Sequence, residues 1–333
     1  MISFSKDMKS FFFLAASACV FMLPCRASGD LVLGSTTVHF ASQSEGRQVL
    51  LAKDDFIQRL SPFDRSARMK TDRSVSEGEF LEFIGRNVAD WTKEEMQTVQ
   101  VAIEAIQPRL RDLPLTLPRA VQFIKTTGEE EGNAAYTRGA AVVFPKRELA
   151  KPQKELQRLI CHELFHILSR QNSKLREQLY GIIGFTKCNE IELPPDLALR
   201  KITNPDAPRN DHFIRLRTDG HDFLAVPILL SSTKTYDTKR GGEFFAYLQF
   251  QFLEVKKSSD SQNFEAAYEG TSPRLVGIQQ ISGFMEQVGR NTEYIIHPEE
   301  ILADNFALLV LNEHTVTSPE VLQKMKEVFL RKD

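Results

Sequence analysis

The sequence predicts an α+β protein in which a small mixed sheet packs over one buried helix and the remainder is mainly helical. Three observations lead there. Lys151 to Arg170 has helical periodicity with a broad apolar arc. The run GAAVVFP, bounded by Gly139 and Pro145, is short and continuously apolar, as a buried strand is. Most of residues 28–118 repeat their apolar positions at intervals of three and four. At 333 residues the chain has room for one large domain or two modest ones. Its 42 % hydrophobic and 26 % charged content is that of a globular protein.

In chain order, residues 1–27 read as a signal peptide. Lys6 and Lys9 precede the apolar run FFFLAASACVFML, Phe11 to Leu23, and Pro24 to Ala27 offer a small-residue cleavage site. An uncleaved N-terminal anchor, or lipidation at Cys19, is the alternative. With no later segment long and apolar enough to span a bilayer, the expected location is exported: periplasmic or secreted. Without residues 1–27 the chain carries 39 basic and 43 acidic residues, a net charge of −4. No basic stripe suggests nucleic acid.

Residues 28–118 form the helical N-terminal region. Leu31 to Ala41 suits a strand, and Gly46 to Leu60 and Ser76 to Val88 suit helices. Thr92 caps a long helix that Glu94 and Glu95 favour in its first turn. Residues 119–333 form the second region, with strands at Ala120 to Lys125, Ala134 to Tyr136 and Ala140 to Phe144. Helices follow at Lys151 to Arg170 and Ser173 to Ile183. A long insertion, about residues 185–290, is rich in proline and loops at its start. His221 to Leu230 and Glu243 to Glu254 are strand or short helix. Pro298 opens a helix reaching about Leu311, and Ser318-Pro319-Glu320 caps the last.

The chemistry concentrates in ICHELFHILSR. His162 and His166 are one turn apart on the same helix face. That spacing lets two ring nitrogens reach one ion at roughly 2.0–2.1 Å. Glu163, rotated by ~100°, reaches instead a water on that ion, whose pKa falls towards ~7. Glu163 also lies inside the apolar arc of Leu156, Leu159, Ile160, Leu164, Ile167 and Leu168, where an unpartnered carboxylate is costly.

A third ligand is needed, and HPEEILADNFALL supplies one. Glu300 and Asp304 share a face of a helix that is apolar nearly all round. Two such buried carboxylates need positive charge beside them. Glu300 then binds the ion, and Asp304 accepts the outer N–H of a ligand histidine. Glu299 is the substitute ligand. Ala303 and Ala307 allow a close approach to the His162 helix.

HELFH followed by EILAD resembles the gluzincin zinc metallopeptidases of the thermolysin and neprilysin type, which use HExxH plus the Glu of an ExxxD helix. The resemblance covers these two helices and the GAAVVFP strand. It implies a zincin-like fold, one Zn2+ held by His162, His166 and Glu300, Glu163 as general base, and a peptide or protein substrate. The separation of 134 positions from His166 to Glu300 implies a large inserted lobe. The residues after His166 are ILSRQN, which excludes the HExxHxxGxxH pattern. In such peptidases the substrate adds as a strand to an exposed sheet edge; Ala140 to Phe144 is the candidate here. An oxyanion donor is also expected, with Tyr294 and His297 first, and His221 and Tyr136 as other choices.

The expected function is thus an exported zinc metallopeptidase. Two rivals come from other classes: a zinc-binding scaffold of the same fold without turnover, and a soluble exported protein with no metal, in which the motif is accidental. Two features stay open: Cys161 and Cys188 either pair or remain free thiols, and GEEEG, Gly128 to Gly132, is either a solvated turn or a calcium loop.

Overall fold

The computed structural model describes residues 30–218 and 220–331. The expected signal peptide lies outside the described residues.

The first sheet runs β1 (Leu31–Leu33), β2 (Thr36–Phe40), β4 (Ala120–Thr126), β6 (Ala141–Pro145), β5 (Tyr136–Arg138), with β3 (Val88–Ala89) paired to β4. β2, β4 and β6 are parallel; β1, β3 and β5 pair antiparallel. Strand β6 is apolar throughout because both its faces are covered. Val142 and Phe144 meet α5 (Lys93–Arg111) and α6 (Gln153–Gln171). Ala141 and Val143 meet the core under α1 (Gln43–Leu50), α2 (Asp55–Arg59) and α4 (Glu77–Asn87). A Cβ on Gly46 would lie 2.8 Å from both Ile124 and Val88, so α1 sits on the sheet only because that residue is glycine.

This arrangement corrects four expectations. Residues 28–118 are not a separate helical region, since they supply three strands to the sheet and α5 packs on α6. Gly46 to Leu60 is two helices, because Asp54 caps a new start at Asp55 by accepting from Ile57 N–H. Ala140 to Phe144 is not the sheet edge: β6 lies between β4 and β5, and Tyr136–Arg138 is the edge strand. Gly139, at φ 58°, turns the chain between them. Finally, the remainder is not mainly helical. Within residues 185–290, β7 (Phe185–Lys187), β8 (His212–Thr218), β9 (His221–Ser231), β10 (Leu248–Lys257), β11 (Phe264–Ala266) and a strand at Leu275–Gly277 make an antiparallel sheet. It is an α+β arrangement in the general sense.

Helix α6 buries Leu156, Ile160, Leu164, Phe165, Ile167 and Leu168, each contributing ~1.5–3 kcal/mol. It packs against α10 (Pro298–Leu311), where Ala303 and Ala307 are fully buried and Phe165 meets Phe306 at 5.6 Å between ring centroids. α7 (Ser173–Ile182) and α11 (Pro319–Leu330) complete this core. No described helix is long and apolar enough to cross a membrane.

A buried ionic cluster fastens the insertion to the first region. Arg68, on α3 (Pro62–Arg68), has a side chain with no solvent exposure. It pairs with Asp64 at 2.6 Å and, through two nitrogens, with Glu131 at 2.8 and 2.6 Å. It also donates to the Thr203 carbonyl at 3.0 Å. Asp64 accepts from the Thr203 hydroxyl at 2.7 Å. The GEEEG segment is therefore neither a solvated turn nor a calcium loop: Glu130 and Glu131 are buried and Glu131 is spent on Arg68. Cys161 and Cys188 are free thiols packed in different cores.

Candidate metal centre

The two helices meet where the sequence places its charged groups. From α6, His162 and His166 face α10; from α10, Glu300 faces both. His162 Nε2 lies 3.1 Å from Glu300 Oε2, and His166 Nε2 lies 3.6 Å from the same oxygen. One atom each from His162, His166 and Glu300 fall within 4.8 Å of one another. The outer nitrogens are held too. His162 Nδ1 is 3.1 Å from Asp304 Oδ1, and His166 Nδ1 is 3.1 Å from Glu299 Oε1. Glu299 itself accepts from Ser169 at 2.8 Å and Tyr180 at 2.5 Å. Asp304 accepts from Thr292. Both imidazoles therefore have their Nδ1 atoms committed to carboxylates, which directs both Nε2 atoms inward. Glu299, the substitute ligand, orients His166 instead.

Of the buried side-chain atoms without a hydrogen-bond partner among the described residues, two belong to this site: His166 Nε2 and Glu163 Oε2. Such orphans are rare in folded proteins. His166 Nε2 faces Glu300, and Glu163 lies beside His166 and Asp206. The donor set of two imidazoles and a carboxylate is that of a zinc site with a position left for chemistry. The residues thus fit a divalent ion.

Electrostatics point the same way. Five acidic side chains, Glu163, Asp206, Glu299, Glu300 and Asp304, surround two imidazoles. Burial alone would lower His166, but Asp206, Glu300 and the Glu299 hydrogen bond outweigh it and raise it to about 9. His162 is raised well above the ordinary range: burial opposes, and Asp304 and Glu300 prevail. Glu300 is held down to about 2, the imidazoles outweighing its burial. Burial, and then the Asp206 carboxylate, push Glu163 up to about 8. Without a metal the cluster holds protons where a dication would serve.

The sign of the pH dependence follows. His166 and Glu163, at about 9 and about 8, sit above their unfolded values of 6.5 and 4.5. Their contribution to stability is complete below those unfolded values and is lost as pH rises through the folded ones. Glu300, lowered from 4.5 to about 2, contributes stability that disappears only as pH falls towards 2. Chelator-treated protein is expected to melt highest at about pH 4.5–5 and progressively lower towards about pH 9, with zinc restoring the loss. Thermal melts across that range, with and without zinc, check this; a zinc-free melting temperature that stays flat contradicts it.

Above the site is a cavity of about 590 Å³ lined by His162, Glu163, Asp206, Tyr294, Glu300 and Asp304, among others. Tyr294 is half-exposed, with its ring stacked 6.3 Å from that of His162. His297 is placed elsewhere. Burial lowers it to about 4, so its neutral Nδ1 accepts from Glu299 N–H at 3.1 Å and caps α10. It lines a different cavity, of about 430 Å³, and the structure does not bring it to the metal ligands as a catalyst. His221 lies at the start of β9 with an exposed side chain, and buried Tyr136 lies 3.5 Å from Glu130, so neither is a donor here.

Two residues of the insertion also reach the site. Asn204 donates to Glu300 Oε1 at 2.6 Å. Asp206, with a side chain 7 % exposed, places a carboxylate oxygen within 4.8 Å of Glu163 and His166. No periodicity or spacing in the sequence marks either.

Residues 125–174 match the model of the eCIS core domain (extracellular contractile injection system core). The match spans β5, β6 and the whole HELFH helix, and ends before the insertion and α10. No curated protein and no solved structure matches the chain.

Proposed function

We propose that this protein is an exported zinc-dependent metallopeptidase with a zincin-like catalytic region. The observation that carries this reading is the unpartnered, buried Nε2 of His166 beside Glu300 and His162. The leader-like sequence of residues 1–27 supports export.

A zinc ion held by His162, His166 and Glu300 supplies Lewis acidity towards a peptide carbonyl and favours ionisation of water. Glu163 moves the protons. Beside a bound dication Glu163 would be a carboxylate, which would take a proton from the attacking water and pass it to the leaving amine. Tyr294, on the rim of the same cavity, donates to the developing oxyanion. Asp304 and Glu299 keep the imidazoles in one tautomer. Residues 132–135, which lead into the edge strand Tyr136–Arg138, line the same cavity and would align an extended peptide.

Zinc-loaded protein is expected to cleave an unfolded protein substrate, to stop with chelator and to resume when zinc is returned; gel and mass-spectrometric analysis of the products checks this. The eCIS core match favours a second reading, an assembly component that keeps the ion without turnover. Full zinc occupancy with no cleavage selects it.

A further inference from the structure

We infer that Asn204 is a positioning residue for the metal site: its amide holds Glu300 to binding through Oε2 alone, which keeps a place on the ion for water and substrate. This rests on the zinc-site reading above and extends it to a residue of the insertion, outside the HELFH and EILAD helices.

The two oxygens of Glu300 are used differently. Oε2 faces the imidazoles, 3.1 Å from His162 Nε2 and 3.6 Å from His166 Nε2. Oε1 accepts from the Asn204 side-chain amide at 2.6 Å. A carboxylate can grip a cation with one oxygen or with both. With Oε1 spent on an N–H, Oε2 remains for the ion. The direction of the amide is fixed independently. Asp206 N–H can only donate, and it lies 2.9 Å from Asn204 Oδ1. The NH2 group is therefore the end presented to Glu300. The amide turned over would set oxygen against oxygen there, and NH2 against N–H at Asp206.

Asn204 is also held from outside the two metal helices. Thr203, before it, donates to Asp64 through its N–H at 3.0 Å and its hydroxyl at 2.7 Å, and its carbonyl accepts from Arg68 at 3.0 Å. Two residues on, Asp206 Oδ1 accepts from Thr137 N–H at 2.8 Å. The amide is thus anchored to α3 on one side and to β5 on the other. Glu300, 2 % exposed on α10, meets a donor that belongs to neither α6 nor α10.

His162 and His166 take their outer contacts from α10 itself, through Asp304 and Glu299. The packing of α6 on α10 therefore sets both imidazoles. Glu300 takes its outer contact from the insertion, so its mode of binding depends on where residues 203–206 sit. Two imidazoles and one carboxylate oxygen leave a zinc ion the open position that catalytic sites have. Both oxygens of Glu300 would fill that position with a fourth protein donor atom, the closed state of structural sites.

Zinc-edge X-ray absorption, the visible spectrum of the cobalt(II) form and chelator competition test this without any need for turnover. In the wild type, absorption is expected to show Glu300 bound through one oxygen, read from the metal–carbon distance. Asn204→Leu, similar in size and without the amide, should bring the second oxygen to the metal, change the cobalt spectrum and weaken zinc binding ~10–100-fold. Thr137→Val is the control for bracing of the loop, since it removes the hydroxyl that Thr137 gives Asp206 and leaves the amide on Glu300. It should keep the wild-type spectrum and affinity. Equal changes in both variants would assign Asn204 to the loop alone and overturn the inference, as would an Asn204→Leu protein that matches the wild type. A wild-type site with both Glu300 oxygens on zinc overturns it whether or not either variant folds. A wild type that binds neither zinc nor cobalt removes the zinc-site reading and this inference with it, a result distinct from the others.

Discussion

Glu163→Gln is expected to keep zinc and fold while hydrolysis falls by ~10²–10⁴-fold, the usual contribution of a positioned general base. The variant is nearly isosteric, and the helix position, facing the cavity with His162 and Glu300, is unchanged. The amide cannot take a proton from water. It also removes a burial cost, because the acid sits in a site that pushes it up to about 8. The metal-free variant should therefore be as stable as the wild type or slightly more so at about pH 9, where the native carboxylate must ionise without a cation. Steady-state cleavage, zinc content and melting temperature, measured together, separate the roles. Equal turnover in both proteins would remove Glu163 from the chemistry, and lost zinc would make it a ligand instead.

The largest stability effect is expected at Arg68, far from the catalytic proton. Arg68→Leu leaves Asp64 and Glu131 as buried carboxylates without their cation. Breaking such a pair from one side costs ~3–5 kcal/mol. The guanidinium also lies 4.3 Å over the Phe244 ring and 5.5 Å from Phe56, contacts that leucine replaces only in part. At ~2–4 °C per kcal/mol for a large domain, the melting temperature should drop by about 10 °C. Because Arg68 and Asp64 hold Thr203, whose neighbour Asn204 bonds Glu300, zinc should also leave the folded variant faster. Chemical denaturation and chelator-competition kinetics check both effects. A loss below about 1 kcal/mol would mean that the pair contributes no more than a surface ion pair.

What was legible in the sequence is what has a period. The HELFH helix announces its geometry because His162 and His166 are four apart, and its burial because six apolar residues share the arc around Glu163. The EILAD helix is legible likewise, and the structure brings Glu300 and Asp304 to His162 at 3.1 Å each. Thr92 caps its helix as expected, and the helix expected from Ser76 begins there with Ser76 as its cap, both with reciprocal glutamates.

What was not legible depends on pairing across distance. GAAVVFP signals a strand covered on both faces, and such a strand is interior; the true edge, YTR, is short and polar and carries no such signal. Asp64 and Arg68 are an ordinary helical i,i+4 pair in the sequence. Only the fold buries them and sends Glu131 to meet them. Asn204 and Asp206 stand in a proline-flanked loop with no pattern at all, and reach the site because the second sheet anchors that loop over β5. His297 shows the reverse error: a histidine one turn from a ligand, used as a helix cap.

The most direct measurement is the zinc content and zinc-edge X-ray absorption of the purified protein, repeated on His166→Ala. One zinc per chain, with two nitrogen ligands and carboxylate oxygen at ~2.0–2.2 Å, and its loss in the variant, is the result expected of an ion gripped jointly by α6 and α10. A chain that takes up no zinc when supplied with it, or holds it equally well without His166, would contradict that arrangement.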